Sequence, residues 1–235
     1  MYTGIELREP IFEIGFKAAL YGAKAVELAK SADRISEKYD VPIIITAQCV
    51  DIYRIAKETS KILVFAQHAD SLTVGKGAGS VLLEAVKDAG AVGTMLNHAE
   101  KRLVLSEINR TIRRAEKVGL ATMVCADSPE EGLAVAHLHP NIILTEPPDL
   151  IGTDKSVGRK NKGFVLESVE KIKSIDPRIV VFSGAGIRNG KDVGDIIRLG
   201  AGGTGSSTGV LNAKDPAGMI EEMVAALKEA WSETR

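Results

Sequence analysis

Three residues far apart in the chain share one local setting. Lys17 follows the apolar run "PIFEIGF", His98 follows "AVGTML" and Asn97, and Glu146 follows "NIILT". A cation, an imidazole and a carboxylate can together hold an anion and move protons, provided the run ends meet in space. Two glycine- and hydroxyl-rich turns come after the later runs, Ser183-Gly184-Ala185-Gly186 and Gly205-Ser206-Ser207-Thr208-Gly209. Such turns present backbone N–H groups and, with a helix N-terminus behind them, hold a phosphate. Glu146 is followed at once by Pro147-Pro148 and then by small residues up to Gly158. A carboxylate between a buried strand and a stiff step, ahead of a segment able to swing, is an unusual placement for a purely structural group. Each feature has a plain reading by itself: a surface lysine, a satisfied core histidine, a helix cap, a tight turn. Those readings would have to coincide at five strand ends.

The elements that must position these groups are legible from periodicity. Apolar β-rich runs recur at 10–16, 42–46, 62–66, 91–96, 121–126, 141–145 and 179–184. Near-continuous apolar strands suit a parallel sheet covered on both faces. An eighth strand, "GGTGSST" at 202–208, is assigned by position, being small and polar. Amphipathic stretches lie between the runs. "AALYGAKAVELAKSADRISEKY" is one. A second starts at Ser106 as N-cap and stops at Gly119. A third opens on Ser128-Pro129, and the last on Asp215-Pro216. Eight strand–helix units without a linker predict a single-domain (β/α)₈ barrel over 1–235. The competing doubly wound sheet lacks its GxGxxG turn, since the first strand runs into "GFKAALYG".

Bulk properties exclude several classes. The 235 residues carry a net charge of −1, with 45% hydrophobic and 26% charged residues interspersed. Nothing there favours nucleic acid or a membrane surface. No apolar run approaches the ~18 residues of a membrane span, and "MYTGIELREP" lacks a signal pattern, so a cytoplasmic location is expected. Cys49 and Cys125 have no metal-type spacing and read as reduced thiols. His137 and His139 lie at a helix end, where a cation suits the dipole. His68, in "AQHAD", reads as a structural hydrogen-bonding residue.

Six segments carry a more specific signal: "FAQHAD" at 65–70, "GAVGTMLNHAEKRL" at 90–103, "VCA" at 124–126, "TEPPDLIGT" at 145–153, "GAGI" at 184–187 and "NAKDP" at 212–216. In this order and at these strand ends, they resemble the triosephosphate isomerase family in its short archaeal form. The resemblance implies an aldose–ketose isomerase of glycolysis and gluconeogenesis. It implies a small phosphorylated sugar as substrate, no cofactor, no metal, and a homodimer or homotetramer. It assigns Glu146 as base, His98 as neutral electrophile and Lys17 as the cation for the substrate's anionic groups, with Glu100 as the partner of that lysine. It places a lid from Pro147-Pro148 to about Gly158, with Ile151 and Gly152 approaching substrate. Gly184, Ser207 and Thr208 match phosphate-gripping positions, chiefly through the backbone N–H of Gly184 and the Ser207–Thr208 turn.

The chain departs from that family pattern in four places. Gly15 stands where an asparagine usually touches substrate, which opens space that a four-carbon ketose phosphate would use. Ala99 replaces a serine that helps hold the glutamate. Asp154-Lys155 put two charges at the lid tip, and the eighth strand is polar. These changes keep two alternatives in view, an isomerase of a larger sugar phosphate and a sugar-phosphate-binding barrel with little turnover.

Overall fold

The computed structural model describes residues 1–153 and 155–234. Its strands are β1 Ile11–Gly15, β2 Ile43–Ala47, β3 Leu63–Ala66, β4 Gly93–Leu96, β5 Ala121–Ala126, β6 Ile142–Thr145, β7 Val180–Ser183 and β8 Gly203–Gly205. Between them run α1 Gly22–Tyr39, α2 Cys49–Glu58, α3 Leu83–Asp88, α4 Leu105–Val118, α5 Pro129–Ala136, α6 Val157–Lys160, α7 Lys162–Ile175, α8 Gly190–Arg198 and α9 Thr208–Leu211, with α10 Pro216–Thr234 closing the order. All strands are parallel and pair in sequence order, and β8 returns to β1 with Ile11 opposite Gly203. The sheet is therefore a closed barrel and not an open doubly wound sheet.

Alternation along each strand separates two cores. Ile11, Ile44, Phe65, Met95, Met123, Ile142, Leu144 and Phe182 pack together inside the barrel. Phe12, Ile14, Ile43 and Ile45 face outward and pack with helix residues such as Ala29, Val224 and Leu227. That arrangement is why the strands read as unbroken apolar runs. Cys125 belongs to the interior, whereas Cys49 is exposed at the start of α2, and both are free thiols.

The helix starts follow their caps, with one correction. Ser128 Oγ accepts from Glu131 N–H at 3.1 Å, and Asp215 Oδ1 accepts from Gly218 N–H at 3.0 Å. Ser106 is not the N-cap of α4; the N-cap is Val104, two residues earlier, and no side chain caps it. The first turn of α4 is largely exposed, so its free N–H groups are open to water. At the other end Gly119 adopts φ +85 and closes the helix on Ala115 O at 2.9 Å, as its αL geometry requires. His139 pairs through Nδ1 with Asp176 at 3.0 Å, and His68 through Nε2 with Asp70 at 3.0 Å.

The polarity of β8 has a packing cause. A Cβ on Gly203 would strike the Phe182 ring. A Cβ on Gly205 would stand 2.6 Å from Glu13 Oε2 and 2.7 Å from the Glu13 carbonyl oxygen. Larger side chains on β7 and β1 thus fill the layers that β8 would otherwise supply. Gly205→Ala should destabilise the fold by about 1–3 kcal/mol through overpacking, read as a lower urea midpoint with unchanged m-value. An unaltered midpoint would mean that β8 and β1 are looser than this packing requires.

Candidate active site

The C-terminal ends of the strands enclose a mouth cavity of about 280 Å³. Gly15, Lys17, His98, Glu100, Glu146, Ile151, Gly152, Gly184, Ser207 and Thr208 all line it. The residues singled out from sequence are therefore brought together at one end of the barrel.

The polypeptide reaches this mouth through unusual backbone. Lys17 has φ +47, Asn97 φ +61 and Ala185 φ +80, a region that costs a non-glycine residue about 1–3 kcal/mol. Their neighbours hold them there. Gln67 Nε2 donates to Lys17 O at 2.8 Å. Asn97 is buried, donates to Cys125 O at 2.9 Å and accepts from Leu103 N–H at 2.9 Å. Behind Asn97, Arg102 binds the Asn97 carbonyl at 3.2 Å, Asp127 at 3.0 Å, and Glu131. This network fixes the loop that carries His98.

The imidazole is set as a neutral donor. Glu100 N–H donates to His98 Nδ1 at 3.1 Å, so the ring proton of the neutral form sits on Nε2. Burial, reinforced by the Lys17 charge, pushes His98 below its usual value. Nε2 lies 4.0 Å from Glu146 Oε2. Lys17 Nζ binds Glu100 Oε1 at 2.7 Å, which anchors the cation at the mouth rim.

Glu146 follows β6 directly, and its own N–H continues the ladder to Ala126 O at 2.9 Å. Burial pushes its carboxyl up to about 6, against the opposing pull of Lys17 and a backbone hydrogen bond from Ala185. Room for it comes from Gly184, where a Cβ would stand 2.7 Å from Glu146 Oε1. Gly184 N–H donates to Thr145 O at 3.0 Å. It is thus engaged in the barrel and, as the structure stands, is not directed at a ligand as the sequence suggested. Among the described residues, the N–H groups of Ser207 and Thr208 donate to no protein acceptor. The two turns are tied together by Ser206 Oγ, which donates to Ile187 O at 2.8 Å.

Beyond Glu146 the chain makes a 3₁₀ turn at Pro148–Leu150 and buries Leu150. Thr153 N–H returns to Leu150 O at 3.2 Å, and Val157 N–H bonds Ala185 O at 3.2 Å. This segment lies against the strand-7 turn: a Cβ on Gly186 would strike the Lys155 carbonyl. Of the two lid-tip charges, Asp154 lies outside the described residues. Thr46, Gln67, Arg188 and Glu13 also line the mouth and were not singled out from sequence. Thr46 and Glu13 were hidden inside apolar runs, where strand alternation onto the Gly15 face was the signal that would have found them.

A family model described as "Triosephosphate isomerase" matches residues 10–225. The chain is 40% identical over 225 residues to a "Triosephosphate isomerase" of Methanobacterium bryantii, covering 94% of this chain and 99% of that protein. It is 39% identical over 220 residues to one of Sulfurisphaera tokodaii, covering 93% and 95%. A crystal structure of triosephosphate isomerase from Bartonella henselae superposes with a TM-score of 0.70 at 15% identity, covering 95% of this chain and 99% of that one, a likeness of fold. On the family match and these identities, the chain belongs to the triosephosphate isomerase family.

Proposed function

We propose that this protein interconverts glyceraldehyde 3-phosphate and dihydroxyacetone phosphate through an enediolate. The observation that carries the reading is the pairing of an Nε2–H donor with a half-buried carboxylate 4.0 Å away in one mouth of about 280 Å³. Aldose–ketose interconversion moves a proton between adjacent carbons, and one carboxylate can take it from the first and return it to the second. Glu146 fills that role. The developing oxyanion requires a donor matched to it, and the neutral His98 supplies one without a charge change at the ring. A glutamate base paired with a neutral histidine is the known mechanism of triosephosphate isomerases, and the assignment here follows that established case. Lys17 favours the anionic substrate, the Ser207–Thr208 turn offers N–H groups to the phosphate, and the segment after Pro147-Pro148 shields the intermediate from water.

No cofactor or metal enters this chemistry. Among the described residues no helix is long and apolar enough to cross a membrane. The family reading also carries a cytoplasmic location and a homodimer or homotetramer, the latter to be read by light scattering.

The direct test is a coupled assay with glyceraldehyde 3-phosphate, in which turnover is expected and its absence would reject the reading. The pH profile adds a second check. A carboxyl raised to about 6 must be ionised to act as base. Its function is present above that pH and lost as pH falls through it. kcat/KM should therefore drop about ten-fold per unit below pH ~6. A profile flat to pH 5 would contradict the assignment of Glu146 as the base.

A further inference from the structure

Besides Glu146 and Glu100, the mouth holds a third carboxyl that the proposed reaction does not use. Glu13 projects inward from β1, between Ile11 and Gly15 on the same face, and is 6% exposed. It lines the cavity. Its Oε1 accepts from Thr46 Oγ1 at 2.6 Å, the one side-chain hydrogen bond to this carboxyl among the described residues. A carboxyl has several further donor or acceptor positions, so hydrogen-bonding capacity is left over. An apolar side chain here would join Ile11, Ile44 and Phe182 at lower free energy, because burying a carboxyl without full partners is costly.

The chain has also cleared space around this group. A Cβ at Gly15 would stand 3.4 Å from Glu13 Oε1, 3.6 Å from Ser207 Cβ and 3.7 Å from Thr46 Oγ1. The bare Gly15 therefore leaves a gap bounded by Glu13, Thr46 and the turn offered to phosphate. Gly205 does the same for Oε2 on the other side. Two glycines and one threonine on three neighbouring strands accommodate a single buried acid.

We propose that Glu13 is a specificity-determining residue: through the gap at Gly15, its carboxyl hydrogen-bonds a hydroxyl of the bound sugar phosphate. The proposal rests on the sugar-phosphate reading of the site and adds a contact to it. A hydroxyl is the group that suits this carboxyl best. Burial pushes Glu13 up to about 7, with the Thr46 bond opposing, Glu146 adding to the rise and Lys17 countering it. Both protonation states are thus populated near neutral pH. A hydroxyl can donate to the carboxyl oxygen in either protonation state, whereas a carbonyl oxygen has no proton to give. Oε1, which accepts from Thr46, faces the Gly15 gap and keeps a lone pair for the ligand's hydroxyl, while Oε2, on the Gly205 side, carries the proton of the neutral form. A site that bonds a hydroxyl disfavours the analogue lacking it, since its own buried polar group is then left unpaired.

The test is a binding cycle. Dihydroxyacetone phosphate and its analogue with the terminal hydroxyl replaced by hydrogen are titrated calorimetrically into the wild type, Glu13→Gln and Glu13→Leu. The wild type should prefer the hydroxylated ligand by about ten-fold or more. Glu13→Gln, which keeps a donor and an acceptor, should retain most of that preference. Glu13→Leu should cut that preference by about five-fold or more, the loss falling on the hydroxylated ligand, since His98 still donates at the reacting oxygens. A purely structural acid would weaken both ligands together and leave the ratio unchanged, and that result overturns the proposal. If Glu13→Leu does not fold, the wild type still decides: equal affinity for the two ligands overturns it. Turnover of glyceraldehyde 3-phosphate is measured in parallel. Retained hydroxyl preference without turnover would reject the isomerase reading and leave the Glu13 contact standing.

Discussion

Shortening Glu146 to Asp should lower kcat by about 10²-fold while changing KM little. The substitution keeps the charge and withdraws it by about one methylene, and a misplacement of around 1 Å at the reacting carbon costs about that much. The Ser207–Thr208 turn, proposed to hold the phosphate, is untouched, which is why KM should hold. Glu146→Gln removes the proton acceptor and should cost more, toward ~10⁴. Gln is nearly isosteric and still fits over Gly184, so its fold should be intact. Steady-state kinetics on both variants, with unfolding midpoints as control, checks the pair. Near-normal turnover in Glu146→Asp would remove Glu146 from the role of base.

Replacing His98 with Ala should lower kcat by about 10²–10³-fold, the usual consequence of deleting one oxyanion donor. The sign of the environment matters here. Burial and Lys17 push the imidazole below its ordinary value, which favours the neutral ring that the electrophile role needs. A histidine that charged where Glu146 is ionised would place a cation beside the base and alter the acid limb. Nitrogen NMR of the neutral ring in the wild type should show its proton on Nε2, because Nδ1 accepts from Glu100 N–H at 3.1 Å. A resonance pattern with the proton on Nδ1 would leave no donor facing the mouth and would sink the electrophile role.

The barrel was legible because both faces of each strand are buried, which writes a parallel sheet as apolar runs. The eighth strand was the weak case. Its residues are small because Phe182 and Glu13 occupy the volume beside them, and periodicity cannot see a neighbour across the sheet. Ser106 misled for a related reason: cap chemistry within one turn of a helix start does not say which residue begins it, and α4 starts without a side-chain cap. At the mouth, Lys17, His98 and Glu146 were legible because polar residues stood out at the ends of apolar runs. Glu13 was not, because it sits inside the run "PIFEIGF". Its meaning lies in a threonine on β2 and a glycine on β8, a juxtaposition made only when the barrel closes. Gly184 shows the reverse. Its place in the mouth was read correctly, but the ladder bond of its N–H to Thr145 appears only once β6 and β7 are paired.

The central claim is that one carboxylate carries a proton between adjacent carbons of a triose phosphate. Following the conversion of glyceraldehyde 3-phosphate by proton NMR in deuterium oxide tests it most directly. The base exchanges with solvent while it holds the proton, so the dihydroxyacetone phosphate formed should carry deuterium at the single carbon that receives it, at no more than one atom per molecule. Glu146→Gln should abolish both product and label together. Product formed by the wild type with no deuterium at that carbon would point to direct hydrogen migration and would contradict the account, as would failure to form product at all.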